Sequence, residues 1–73
     1  MSGIVLFFKT NQAVWCSDVL TSEGINNRMS SVPQKLNSSC GYCVSFNQSD
    51  QVDVESVLDE SHIEYDRIET FSA

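Results

Sequence analysis

Positive charge is what this sequence has least of. Lys9, Arg28, Lys35 and Arg67 are its only basic side chains, set against ten acidic ones, for a net charge of −6. Binding to a phosphate backbone depends on a positive surface that releases counterions. A chain this acidic cannot present one, so nucleic acid is not an expected partner, and an anionic membrane surface is disfavoured for the same reason. Long apolar runs are also missing. The run Ile4-Val5-Leu6-Phe7-Phe8 falls far short of the roughly 20 apolar residues of a membrane span. It is too short for a signal peptide and has no basic residue ahead of it. Cysteine is present in an odd number, three, which does not suit a secreted disulfide framework. A cytoplasmic protein is expected, in which cysteines are buried, catalytic or metal-binding. With one proline, three glycines and no low-complexity run, the body of the chain is not expected to be disordered.

What remains is enough for one small domain. The 73 residues read as a single unit over 1–73 with an ordered body over about 3–71. A domain of this size buries only about 60% of its unfolded surface, so its core is thin. Exposed sheet edges and that thin core leave room for a homodimer, and the acidic surface suits a basic protein partner.

Gly3 to Phe8 is a continuous apolar run, which fits a strand buried on both faces in the middle of a sheet. Thr10 or Asn11 is placed to cap a helix over Gln12 to Glu23. In that helix Ala13, Cys16 and Leu20 recur at helical spacing, and Trp15 and Val19 widen the stripe. Gly24 suits the left-handed position that ends a helix, with Ile25 packing back. Asn27 to Val32 reads as an edge strand closed by Pro33. A polar loop anchored by Leu36 follows. Tyr42, Val44 and Phe46 alternate with Cys43 and Ser45 as in a half-buried strand.

Asn47, Ser49 and Asp50 are turn and cap residues. The second helix places Val54, Val57, Leu58 and Ser61 inward, with Asp53, Glu55, Asp59 and Glu60 solvated. Ile63 to Phe71 gives the last strand, its imperfect alternation suggesting a bulge or an edge. The order βαββαβ is that of a ferredoxin-like α+β sandwich, a four-stranded antiparallel sheet with both helices on one face. In that topology the first and third strands are central.

The pointed chemical feature is Ser38-Ser39-Cys40-Gly41-Tyr42-Cys43. Gly41 lets the chain approach a ligand closely, and successive N–H groups in such a turn can hold an anion or stabilise a thiolate. Lys35 is the nearest cation in sequence. Four uses are open: Cys40 as a nucleophile carrying a persulfide or selenopersulfide, Cys40 and Cys43 as a redox dithiol, the pair as two ligands of a metal, or two inert residues. Redox enzymes place their first cysteine at a helix N-terminus, whereas this pair enters a strand. A structural zinc site needs four ligands, and only Cys16 and His62 remain as soft candidates, so no metal is assigned. Cys16 reads as a small core residue and His62 as a surface residue near a helix C-terminus.

The residue pattern resembles the putative selenium/sulfur carrier protein-like domains, a small bacterial family. Thr10-Asn11-Gln12-Ala13-Val14, Leu20 and the Gly24-Ile25 helix exit fit it, as do Val32-Pro33, Leu36 and the Ser38-Ser39-Cys40-Gly41 signature. The likeness runs from roughly Ile4 to Phe71. It implies a carrier, more than a turnover enzyme, that needs no cofactor. Cys40 would hold sulfur or selenium as a persulfide-type adduct between a donor and an acceptor protein, with Lys35, Ser38, Ser39 and Gly41 around it. At Cys43 the family pattern has a small or aliphatic strand residue. The departure leaves room for Cys43 as a resolving thiol. The alternatives in another class are a ferredoxin-like regulatory or protein-interaction module and a dithiol redox switch.

Overall fold

The structure, a computed structural model, describes residues 2–32 and 41–71. Four strands, β1 (Ser2–Leu6), β2 (Asn27–Ser31), β3 (Tyr42–Asn47) and β4 (Arg67–Phe71), form one sheet. Two helices, α1 (Thr10–Ser22) and α2 (Gln51–Glu60), connect β1 to β2 and β3 to β4. A single 3-10 turn, Gln48–Asp50, leads into α2. The spatial order is β2-β3-β1-β4 with every neighbouring pair antiparallel. This is the ferredoxin-like arrangement that the element order predicts, and the two most apolar strands occupy its centre.

Register sorts the side chains onto two faces, because alternate residues of a strand point to opposite sides. Val5 pairs with Val44 and with Ile68. This row faces the helices and joins Phe7, Phe46, Ala13, Cys16, Leu20, Val54, Leu58 and Ile63 in the main core. Ile4 and Leu6 point the other way, where they form a second, smaller cluster with Cys43 and the half-buried Val32. The expectation that β1 is buried on both faces is met: Val5, Leu6 and Phe7 have no exposed surface.

Gly3 in a central strand has a packing cause. It pairs directly with Phe46, whose ring lies over the glycine backbone. A Cβ at position 3 would come within 2.6 Å of the ring Cζ and 2.9 Å of Cε2.

Both helices end in the same hydrogen-bonded closure. After α1, Gly24 takes φ +77°, its N–H donates to the Thr21 carbonyl, and the Ile25 N–H reaches back to Leu20 at 2.9 Å. After α2, His62 takes φ +56°, its N–H donates to Asp59, and the Ile63 N–H donates to Leu58 at 3.0 Å. These are Schellman motifs, in which the left-handed residue satisfies carbonyls the helix leaves open.

Four local expectations are corrected. The N-cap of α1 is Lys9, with no side-chain capping bond, and Thr10 is already helical. Trp15 does not widen the buried stripe, since it is 41% exposed. It sits about 100° around the helix from Cys16, which turns it away from the sheet. Tyr42 lies at the strand end and is exposed, whereas Cys43, on the polar side of the alternation, is buried. The last strand starts at Arg67 and not at Ile63, because Ile63 closes α2 and packs in the core beneath it.

Candidate functional site

The two described residues of the expected site, Gly41 and Cys43, stand at one end of the sheet. There β1 and β2 finish, at Leu6 and Ser31, while β3 and β4 begin, at Tyr42 and Arg67. Leu6 pairs with both Cys43 and Arg67, and Ser31 pairs with Tyr42. Gly41 stands at this end, immediately before β3. Its carbonyl accepts the Val32 N–H at 2.9 Å, which extends the β2–β3 ladder by one bond beyond the Ser31–Tyr42 pair. Gly41 is exposed and has φ +82°, a left-handed conformation that glycine adopts without steric cost. Cys40, Ser38, Ser39 and Lys35, also expected at the site, lie outside the described residues.

The two described thiols are packed away, on opposite faces of the sheet. Cys16 projects from α1 into the helix-side core with no exposed surface. Burial there raises its thiol pKa from 9.0 to about 12, because a thiolate in an apolar surrounding loses its hydration. Cys43 points to the face away from α1 and α2, between Leu6 of β1 and Ser30 of β2, and is 1% exposed. Its Sγ lies 3.6 Å from the Ser30 Oγ, and its S–H donates weakly to the Ser31 carbonyl at 3.9 Å. Cys43 therefore has a packed and hydrogen-bonded place in the sheet.

Beside these, Arg67 at the start of β4 is paired through NH1 with Asp66 at 2.8 Å and through Nε with Glu69 at 3.1 Å. His62 is exposed. Among the described residues no group of three or more His, Cys, Asp or Glu side chains is placed to hold a metal ion. Toward the far end of the sheet Asn26, Arg28, Ser45 and Asn47 border a shallow recess of about 290 Å³, away from Gly41 at the start of β3.

Sequence reasoning missed Asn27. Its Oδ1 accepts from the Ser17 hydroxyl at 2.7 Å, and its Nδ2 donates to the Thr21 Oγ1 and to the Ile25 carbonyl. One side chain thereby fastens the first residue of β2 to the last turns of α1. An asparagine soon after a helix-ending glycine is the only signal the sequence carries for it.

A ferredoxin-like domain with two sequestered thiols, and a glycine turn that follows a third cysteine in the chain, is the class this structure defines. The chain belongs to the family described as Putative Se/S carrier protein-like, whose model matches residues 2–69. Neither a curated protein nor a solved structure gives a match. Among the described residues no helix is long and apolar enough to cross a membrane.

Proposed function

We propose that this protein is a sulfur or selenium carrier that holds its cargo on Cys40 as a persulfide-type adduct. The reading is supported by the family to which the chain belongs. The observation that carries it is the sequestration of the other two thiols: Cys16 and Cys43 are both buried, one on each face of the sheet. A carrier thiol has to meet both donor and acceptor, and neither of these can do so without local unfolding. Cys40 also stands in the Ser38-Ser39-Cys40-Gly41 signature.

The chemistry is thiolate exchange. In loading, the Cys40 thiolate attacks the outer sulfur of a donor persulfide. A Cys40 Sγ–S bond forms, the donor S–S bond breaks, and its electron pair leaves on the donor thiolate. The proton of the outer sulfur stays with it or passes to solvent, and nothing is oxidised or reduced overall. Discharge repeats the exchange with an acceptor thiolate attacking the outer atom, and selenium follows the same course. In this reading the backbone N–H groups of residues 39–41 hold the anionic outer atom, the Ser38 and Ser39 hydroxyls add hydrogen bonds, and the Lys35 ammonium favours the thiolate. Cys43 serves as a strand residue.

Intact-mass analysis after treatment with inorganic polysulfide tests the assignment. The wild-type chain is expected to gain one or more sulfur atoms, and Cys40→Ser none, while Cys43→Ala keeps the gain. Loading that survives in Cys40→Ser would overturn it.

A further inference from the structure

We propose that the sheet end carrying Gly41 is a protein-docking surface, centred on Phe8, Tyr42 and Tyr65 and fitted to a partner with an apolar contact ringed by basic residues. The inference rests on the reading of Cys40 as the carrier thiol, and it names the kind of partner that thiol meets. Three aromatic side chains emerge at the ends of three adjacent strands. Tyr42 opens β3, Phe8 follows β1 by two residues, and Tyr65 precedes β4 by two. The chain is held together there by the Leu6 pairings with Cys43 and Arg67 and by the Asp66 N–H donating to the Leu6 carbonyl at 2.6 Å.

Phe8 is 50% exposed, Tyr42 43% and Tyr65 36%. None of the three belongs to either core cluster, and fold stability does not explain their aromatic character. Aromatic residues are the side chains most enriched at the energetic centres of protein interfaces.

Charge identifies the partner. The C-terminal turn of α2 and the segment after it bring the exposed Asp59 and Glu64 to this same end, on a chain of net charge −6. Of the described cations at this end, Lys9 at the N-cap of α1 is exposed, and Arg67 is already paired with Asp66 and Glu69. A basic rim on the partner matches that field and speeds encounter.

The test compares two sulfur donors on the same protein. One is inorganic polysulfide, too small to need a docking surface. The other is a cysteine desulfurase supplied with cysteine, a protein that presents its sulfur as a persulfide on its own cysteine. Phe8→Ser, Tyr42→Ser and Tyr65→Ser are each expected to load from polysulfide at the wild-type rate. From the desulfurase they should load roughly tenfold or more slowly, as loss of an interface hot spot requires. Loading by the protein donor should slow as salt is raised. It should also slow in the double variant Asp59→Lys/Glu64→Lys, which keeps all three aromatic residues and guards against loosened packing. Val52→Ser removes a 78% exposed apolar side chain from the first turn of α2, at the opposite end, and should change neither rate.

Desulfurase rates that are unchanged in the aromatic variants would overturn the docking surface while leaving the carrier reading intact. So would a wild-type chain that loads from polysulfide alone. A wild-type chain that loads from neither donor would instead remove the carrier reading itself.

Discussion

Replacing Gly3 with alanine isolates the contact on which the centre of the sheet depends. The new Cβ would lie 2.6, 2.9 and 3.3 Å from three atoms of the Phe46 ring, and the first two distances are closer than carbon atoms can approach. Phe46 is 4% exposed and packed in the helix-side core, so its ring can move only by displacing core neighbours. Overpacking of this kind costs about 1–3 kcal/mol. Against it stands the reduced freedom of the unfolded chain when glycine becomes alanine, about 0.4–1 kcal/mol in favour of the variant. The difference is a net loss of at most about 2.6 kcal/mol, centred on ~1.3 kcal/mol, and the central value lowers the melting temperature of a domain of this size by roughly 5–10 °C. Thermal melting followed by circular dichroism reads it directly. The cause is checked in a Phe46→Leu background, where the ring is gone and Gly3→Ala should cost almost nothing or stabilise. A Gly3→Ala variant as stable as wild type, or one equally damaging with and without Phe46, would refute the packing argument.

Three further predictions follow from single observations. His62→Gly should raise stability by about 0.5–1 kcal/mol in chemical denaturation, since His62 occupies a left-handed position, φ +56°, that glycine fills at lower cost. Asn27→Ala removes three hydrogen bonds, two of them joining β2 to α1 and one to the Ile25 carbonyl, and should cost about 1–3 kcal/mol in the same assay. Cys16 should resist alkylation at pH 8 in the native protein and react once the chain is unfolded. Its pKa is 9.0 in the free state and about 12 when buried. The native state therefore holds the proton that the unfolded state gives up. The stability this contributes is complete below pH 9.0 and is lost as pH rises toward about 12. Cys16→Ala should flatten that part of the stability profile measured by denaturant titration.

The parts of the fold legible in the sequence are those where one periodicity governs a whole segment. The unbroken run Ile4 to Phe8 marked a central strand, and the spacing of Ala13, Cys16 and Leu20 marked the buried side of α1. Gly24 announced the end of α1 because glycine at a left-handed position is a chemical signal. His62 performs the same task after α2 without any such signal, so Ile63, which the turn folds into the core, read as the start of a strand. Alternation placed Cys43 on the face opposite Val44 and Phe46. It could not tell that this face is buried at Cys43, because that depends on Ile4 and Leu6 of another strand. Of the candidate site, Gly41 and Cys43 are placed by the structure, whereas Lys35, Ser38, Ser39 and Cys40 were legible only as a motif. The role of Asn27 was not legible, since its partners sit 10 residues before it, 6 before it and 2 before it, two in α1 and one in the connection after it.

The central claim is that one thiol, Cys40, both takes and gives the cargo. The measurement that bears on it most directly is a load-and-discharge cycle on a chain whose only cysteine is Cys40, made as Cys16→Ala/Cys43→Ala. The protein is loaded with polysulfide, freed of excess donor, and mixed with a small acceptor thiol while its intact mass is followed. The single-cysteine chain is expected to gain sulfur and to lose it to the acceptor at rates close to wild type. A folded single-cysteine chain that does not load, or that loads and cannot discharge while the wild type does, would contradict it.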